Sequence, residues 1–303
     1  MATLARKNLN NAIALKNILL ATDFSDSATR AVPFALSLAA HYRAKLYAAH
    51  VIPEEAYLLA RPEFVERILA ETRDYAGYKL NQLVAPIKKR GRPCEVLVGD
   101  GDVCEALTGF VQKYEVDLVI VGTSGRTGLG KVILGSTAEE IIREATSPVL
   151  AVGPHVLADA SAGFQRIVYA TDFSPGSLRA AEYAFSLARE YEAYLTVLHV
   201  VEGILRNSAH LALQLTEKRL REMVPPGNEL LYEPEVLVES GPVASQILGV
   251  AAELAADLIV MGVRGAGAFG QTASHFGSIA HKVVSLARCP VLTVGHAQKP
   301  ERD

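Results

Sequence analysis

The stretch LVIVGTSGRTGLGKVILGST, residues 118–137, decides how this chain is read. It opens as a short run of Leu, Val and Ile, the composition of a strand buried on both faces. The run stops at Gly122, and further glycines follow at Gly125, Gly128, Gly130 and Gly135. From Ser136 the pattern STAEEIIREAT has helical spacing. Strand, glycine loop and helix start together make a geometry suited to a phosphate. Glycine lets backbone N–H groups approach an anion with no Cβ in the way. The helix start adds unpaired N–H donors at the positive end of its dipole. Ser136 with Glu139 fits a capping box that would set the first residue of the helix. A glycine loop alone fits a plain strand-to-helix turn equally well, so spacing has to discriminate.

Two familiar spacings fail. Gly125 to Lys131 matches G-x-x-x-x-G-K, but Val132 stands where Ser or Thr would hold Mg²⁺. Gly265, Gly267 and Gly270 match G-x-G-x-x-G, yet no Asp or Glu occurs between Gly270 and Glu301 to meet a ribose. What remains is Gly122-x-x-Gly125, nine residues, then Gly135-Ser136.

The 303 residues suggest two domains, and a chain half hydrophobic and 21% charged suits a globular protein with sizeable cores. A net charge of −3 gives no electrostatic reason to expect nucleic acid. Cys94, Cys104 and Cys289 have no paired or metal-type spacing and read as thiols in a reducing compartment. No leader-like h-region opens the chain and no apolar run reaches membrane-spanning length, so a cytoplasmic protein without membrane contact is expected.

In chain order, residues 1 to about 14 read as a frayed lead-in. Strands are expected over Asn17–Asp23, Lys45–Val51, Glu95–Val98, Asp117–Val121 and Pro148–Val152. Helices are expected over Ser25–Tyr42, about Pro62 to Lys89, and Val103–Tyr114, with Lys88-Lys89-Arg90 as a solvated helix end. Then the pattern returns. Ile18-Leu-Leu-Ala-Thr-Asp-Phe-Ser25 recurs as Ile167-Val-Tyr-Ala-Thr-Asp-Phe-Ser174, an offset of 149 that also carries His50-Val51 onto His199-Val200. Asp117-Leu118 returns as Asp257-Leu258, and Pro148-Val149-Leu150 as Pro290-Val291-Leu292. A repeated β-α-β-α unit implies two parallel sheets with right-handed crossovers, joined through His155–Gly163. Such sheets bind ligands beyond the carboxyl ends of their strands. Asp23, Val51 and Gly122 all stand at those ends.

ATDFS, HV(I/V), DL(V/I)(I/V)xG, the glycine spacing and PVLxVG together resemble the universal stress protein family, in two copies over nearly the whole chain. The resemblance implies two Rossmann-like α/β domains, 13–154 and 163–297, each with an open five-stranded parallel sheet of order 3-2-1-4-5 flanked by helices. It implies an ATP site in the first domain, with Mg²⁺, since some members bind ATP and others lack the glycine motif. Backbone around Val51 would meet adenine, and Thr22 and Asp23 would lie near the ribose or the metal–phosphate end. Gly122, Gly125, Gly135, Ser136 and Thr137 would hold phosphates, with Arg126 and Lys131 adding charge or staying solvated. In the second domain Asp172, Val200, Gly262, Gly265, Gly277 and Ser278 match. There, however, eleven residues separate the glycines and no Lys or Arg lies between Gly265 and Lys282. The two domains would pack as a pseudo-dimer through Pro148–Val152 and Pro290–Val294, with a homodimer of chains as a further expectation.

Plainer roles stand beside these. Asp23 suits a turn or cap, His50 and His199 suit packed structural histidines, Ser136 suits a cap, and Glu139 and Glu140 would repel phosphate if turned inward. Three functions stay open at this point: an ATP-binding regulatory stress protein, a slow ATP hydrolase, and a nucleotide-free interaction scaffold. No general base stands out near the loop, which weighs against an enzyme.

Overall fold

The apolar runs become the strands of parallel sheets in a computed structural model, which describes residues 12–123, 134–156, 163–202, 209–225, 229–263 and 277–295. Two compact units result, one of Ala14–Ile141 with Ser147–Pro154, the other holding Ile142–Thr146 and the chain from His155 onward. The first sheet comprises β1 (Asn17–Ala21), β2 (Lys45–Pro53), β3 (Cys94–Gly101), β4 (Leu118–Gly122) and β5 (Val149–Val152). Its order is β3-β2-β1-β4-β5, every pair parallel. The connecting helices are α1 (Asp26–His41), α2 (Pro62–Lys89), α3 (Val103–Lys113) and α4 (Ser136–Glu144).

The second sheet repeats this with β6 (Arg166–Ala170), β7 (Tyr194–Val201), β8 (Glu235–Ser240), β9 (Leu258–Gly262) and β10 (Val291–Val294), in the order β8-β7-β6-β9-β10. Its helices are α5 (Pro175–Glu190), α6 (Ala209–Met223), α7 (Val243–Glu253) and α8 (Ser278–Leu286). The order 3-2-1-4-5 thus holds in each half. Because helices cover both faces of a parallel sheet, central strands are apolar at every position rather than alternating. Ile18, Leu19 and Leu20 of β1 are fully buried, as are Leu258, Ile259 and Val260 of β9.

Local chemistry places the helix starts. Ser25 caps α1, its hydroxyl accepting the Ala28 N–H at 3.2 Å, and Asp102 caps α3 through the Glu105 N–H at 2.8 Å. Pro62 opens α2, where its missing N–H costs nothing, and Lys88 and Lys89 lie in its last turn. Among the described residues no helix is long and apolar enough to cross a membrane. The cysteines are free thiols, and burial pushes Cys289 up to about 12.

Gly122 ends β4 against the first turn of α1. A Cβ added there would meet the Ala28 Cα and the Ser27 carbonyl oxygen, each at 2.6 Å. Both are backbone atoms, so the helix itself would have to move. Gly122→Ala is therefore expected to destabilise the chain by about 1–3 kcal/mol in urea unfolding, the usual cost of overpacking. Gly109→Ala, inside α3 with nothing within 4 Å of the added Cβ, is expected to stabilise it by about 0.5–1 kcal/mol. Equal effects would mean the contact at Gly122 is slack.

Candidate functional site

Register brings the sequence-predicted residues to one sheet end. β1 pairs β2 with Ala21 beside Ala49, and pairs β4 with Ala21 beside Val121. Thr22 and Asp23 therefore leave β1 between Val51 on one side and Gly122 on the other. The turn they enter is tightly specified. The Phe24 N–H donates to Thr22 Oγ1 at 3.0 Å, and the Ser25 N–H to Asp23 Oδ1 at 2.9 Å. Phe24 itself adopts φ 62°, a left-handed conformation costing a non-glycine residue about 1–2 kcal/mol. His50, at the end of β2, holds the turn from the other side. Its Nδ1 lies 2.8 Å from the Thr22 carbonyl oxygen, and its ring packs 4.5 Å from that of Phe24. A carbonyl only accepts, so Nδ1 carries the proton.

The second half repeats this unit. Phe173 has φ 62°, the Phe173 N–H donates to Thr171 Oγ1, and the Ser174 N–H donates to Asp172 Oδ1. His199 Nδ1 lies 2.7 Å from the Thr171 carbonyl oxygen, with its ring 4.9 Å from Phe173. Both histidines are thus tied into turns, as the plainer sequence reading had it. Asp23 has the turn role as well, through one carboxylate oxygen, and is exposed.

The helix start differs from the expected capping box. The Glu139 N–H donates to the Gly135 carbonyl oxygen at 2.9 Å, so Gly135 occupies the cap position and Ser136 is the first helical residue. With Gly135 as the cap, Ala138 rather than Glu139 stands at the third helical position, so the Ser-x-x-Glu pattern does not form the box here. The Gly135 N–H is itself committed, donating to the Thr123 carbonyl oxygen at 2.8 Å. That bond docks the helix start onto the end of β4. The N–H groups of Ser136, Thr137 and Ala138 have no hydrogen-bond partner among the described residues. These are the donors a helix start offers an anion.

The corresponding start in the second half is built less firmly. Gly277 caps α8 with no side-chain bond, and the His281 N–H donates to its carbonyl. The equivalent tie from Gly277 to Val263 is absent among the described residues. Near the helix start the side chains also change, from the acids Glu139 and Glu140 in α4 to His281 and Lys282 in α8. Gly262 keeps its packing role, since an added Cβ would lie 2.8 Å from the Ser177 nitrogen. Gly125, Arg126 and Lys131 of the first loop, and Gly265 and His275 of the second, lie outside the described residues.

Two features escaped the sequence reading. Thr123 is 1% exposed and its hydroxyl finds no hydrogen-bond partner among the described residues, while its counterpart in the repeat is Val263. Its place between Gly122 and Gly125 was the available signal. Arg219 of α6 lays its guanidinium 3.9 Å from the centre of the Phe173 ring. This brings a cation to the β6 end of a half whose loop holds none between its glycines.

Comparison with known proteins agrees with the repeat. A universal stress protein of Methanocaldococcus jannaschii is 29% identical over 138 residues, covering 45% of this chain and 81% of the relative. The crystal structure of a universal stress protein from Archaeoglobus fulgidus superposes with a TM-score of 0.71 at 22% identity, over 93% of this chain and 99% of that one. Another universal stress protein, solved in complex with cAMP, matches 46% of this chain at 26% identity with a TM-score of 0.32. The profile of the Universal stress protein family matches twice, over residues 14–153 and 163–295, and the chain belongs to that family.

Proposed function

We propose that this chain is a cytoplasmic stress-response protein that binds ATP in its first domain, residues 13–154, and acts by binding rather than by fast chemistry. The observation that carries this reading is the set of unpartnered N–H donors at Ser136, Thr137 and Ala138. The Gly135–Thr123 bond docks them at the strand ends that also carry Asp23 and Val51. Phosphates would take these N–H groups, with Gly122 letting β4 lie close against α1 and Gly125 leaving room for the loop to pass close. Adenine would lie toward Val51. Thr22 shapes the turn, and the exposed carboxylate of Asp23 is the group available to the ribose or to a phosphate-bound Mg²⁺. Adenine nucleotide released from the purified, denatured protein and identified by mass spectrometry would support this reading; its absence, with no heat on ATP titration, would favour a nucleotide-free scaffold.

Turnover is expected to stay well below about 1 s⁻¹, the low end of ordinary enzymes. Val132 offers no oxygen to a metal, and one Asp23 oxygen is already held by the Ser25 N–H. Phosphate release measured with and without Mg²⁺ checks this, and a rate at or above that level would overturn the binding-only reading.

Binding should be unequal between the halves. Charge near the helix start favours the second domain, residues 163–297, where Lys282 stands in place of Glu140 and Glu139 is gone, but such charges are worth about 0.3–1 kcal/mol. Losing one or two charge-assisted bonds from a misregistered loop costs about 1.5–3 kcal/mol each, so backbone register wins. Calorimetry is expected to show one strong ATP site per chain. Gly125→Val should abolish that site, whereas Gly265→Val should barely change it. The reverse pattern would identify the longer loop, with Asp172, Val200, Gly262, Gly277 and Ser278, as the working one.

The two halves are proposed to associate as an intramolecular pair through Pro148–Val152 and Pro290–Val294. Expressed separately and mixed, they should form a one-to-one complex by light scattering. Halves that stay folded and never associate would rule that pairing out. The same measurement on the whole chain decides whether two chains form a homodimer.

A further inference from the structure

The outer corner of the second sheet carries a group of exposed side chains that the nucleotide reading leaves unexplained. Tyr194, opening β7, stacks on Tyr232, just before β8, with ring centroids 3.9 Å apart and planes 17° from parallel. Tyr194 is 52% exposed, Tyr232 36%, and the adjacent Leu231 60%. β8 is the outermost strand of this half, and β7 is its one described neighbour there. Its far edge therefore presents backbone N–H and C=O groups to whatever approaches, a template for strand addition.

Charge says what that partner should be. In the first half, the strand register places Tyr47 beside Glu95, and Lys45 reaches Glu95 at 2.8 Å. Arg73 likewise meets Asp100, at 2.5 Å, at the other end of β3. Both acids of that edge strand are neutralised from within the chain. In the second half, Thr196 stands beside Glu235 in the same register, and Tyr194 has replaced the lysine. Glu235 and Glu239 of β8 form no ion pair among the described residues. Glu192 and Glu233, close in sequence to Tyr194 and Tyr232, are exposed. Arg166 is in register with Tyr194 on β6, and Arg221 of α6, the helix packed on β8, is paired with Glu217 of that helix. An aromatic face beside uncompensated carboxylates attracts cations twice over, through the ring quadrupole and through charge.

We propose that this corner docks an extended, lysine- or arginine-bearing segment of a partner protein, added as a further strand along β8. Its cations face the glutamates, and one of them lies over the Tyr194–Tyr232 stack. Glu235 and Glu239 are four residues apart, about 13 Å along a strand, which matches basic residues four positions apart on one face of the docked segment.

The probe is a fluorescein-labelled peptide of roughly eight residues, a usual strand length, alternating lysine and valine. It is titrated against the full-length chain by anisotropy at low salt. The wild-type chain is expected to bind it, and an alternating glutamate–valine peptide is not. N-methylation of alternate peptide nitrogens should weaken binding at least about tenfold by removing the strand hydrogen bonds. Tyr194→Lys, which rebuilds the first half's lysine–glutamate pair, and Glu235→Gln should each weaken it about fivefold. Glu95→Gln, on the equivalent strand of the first half, should leave it unchanged. If Tyr194→Lys fails to fold by circular dichroism, Tyr232→Ser takes its place. Failure of the wild type to bind, equal binding of the acidic or N-methylated peptide, or indifference to Tyr194→Lys and Glu235→Gln would each overturn the proposal. So would self-association of the chain that Tyr194→Lys dissolves, because the occupant would then be a second copy.

Discussion

At Gly122 the end of one strand and the first turn of a helix touch backbone to backbone, and the candidate site depends on that approach. With a side chain at Gly122, α1 would have to retreat from β4, because the obstructing atoms are the Ala28 Cα and the Ser27 carbonyl rather than a movable side chain. Retreat would draw the Thr22–Ser25 turn, which leads directly into α1, away from the glycine loop. The glycine reads in sequence as a way to bring backbone N–H groups close to an anion. Its contact in the fold is with protein. The close approach of helix and strand therefore sets where the Thr22–Ser25 turn and the end of β4 lie relative to each other. Gly262 stands in the same relation to Ser177 in the second half.

The turn itself is a small strained device. A left-handed phenylalanine is unfavourable by about 1–2 kcal/mol, and net hydrogen bonds are worth about 0.5–1.5 kcal/mol each. The bonds through Thr22 Oγ1, Asp23 Oδ1 and His50 Nδ1 are enough to offset it. Removing any one leaves a margin close to zero. That is why ATDFS and the distant HV recur together at one offset: they are separate in sequence but form one physical unit. An aspartate fixed by its own turn also holds its carboxylate in a defined place at the sheet end without needing a ligand to order it.

Most of the fold was legible because the signals for it are local. Buried parallel strands are continuous apolar runs, and α2 fills the expected Pro62–Lys89 span because a proline can open a helix and lysines suit its end. The sheet order was legible only through the family resemblance, since periodicity does not say which strands pair. What the sequence hid were relations settled by a single atom pair. Ser136 and Gly135 both suit a helix start, and the bond from the Glu139 N–H chooses glycine. Arg219 reaches Phe173 from a separate helix, on an exposed face with no pattern to mark it. Thr123 and Val263 are nearly isosteric, so only burial shows that one of them carries an unpartnered hydroxyl.

Duplication lets frame and lining change separately, and the two halves show which is which. The strained turn, the histidine tie and the glycine contact appear in both, because each holds backbone that would otherwise relax. Beneath the second turn, Leu20 and Ala28 of the first half are replaced by Tyr169 and Ser177. The buried Tyr169 hydroxyl donates to the Ser177 carbonyl at 2.6 Å, and Thr171 Oγ1 donates to Ser177 Oγ at 3.1 Å. Burial raises the phenol's pKa further above its ordinary value, which keeps it a neutral donor. A polar network of this kind is costly unless every member is satisfied, and here it braces the helix start that Gly262 packs against. The second half thus keeps a rigid frame with new chemistry around it: hydroxyls beneath the turn, Arg219 over Phe173, His281 and Lys282 on the helix start. What the second half keeps is therefore the backbone frame of the turn and the glycine contact, and what it changes is the side chains packed beneath and beside them.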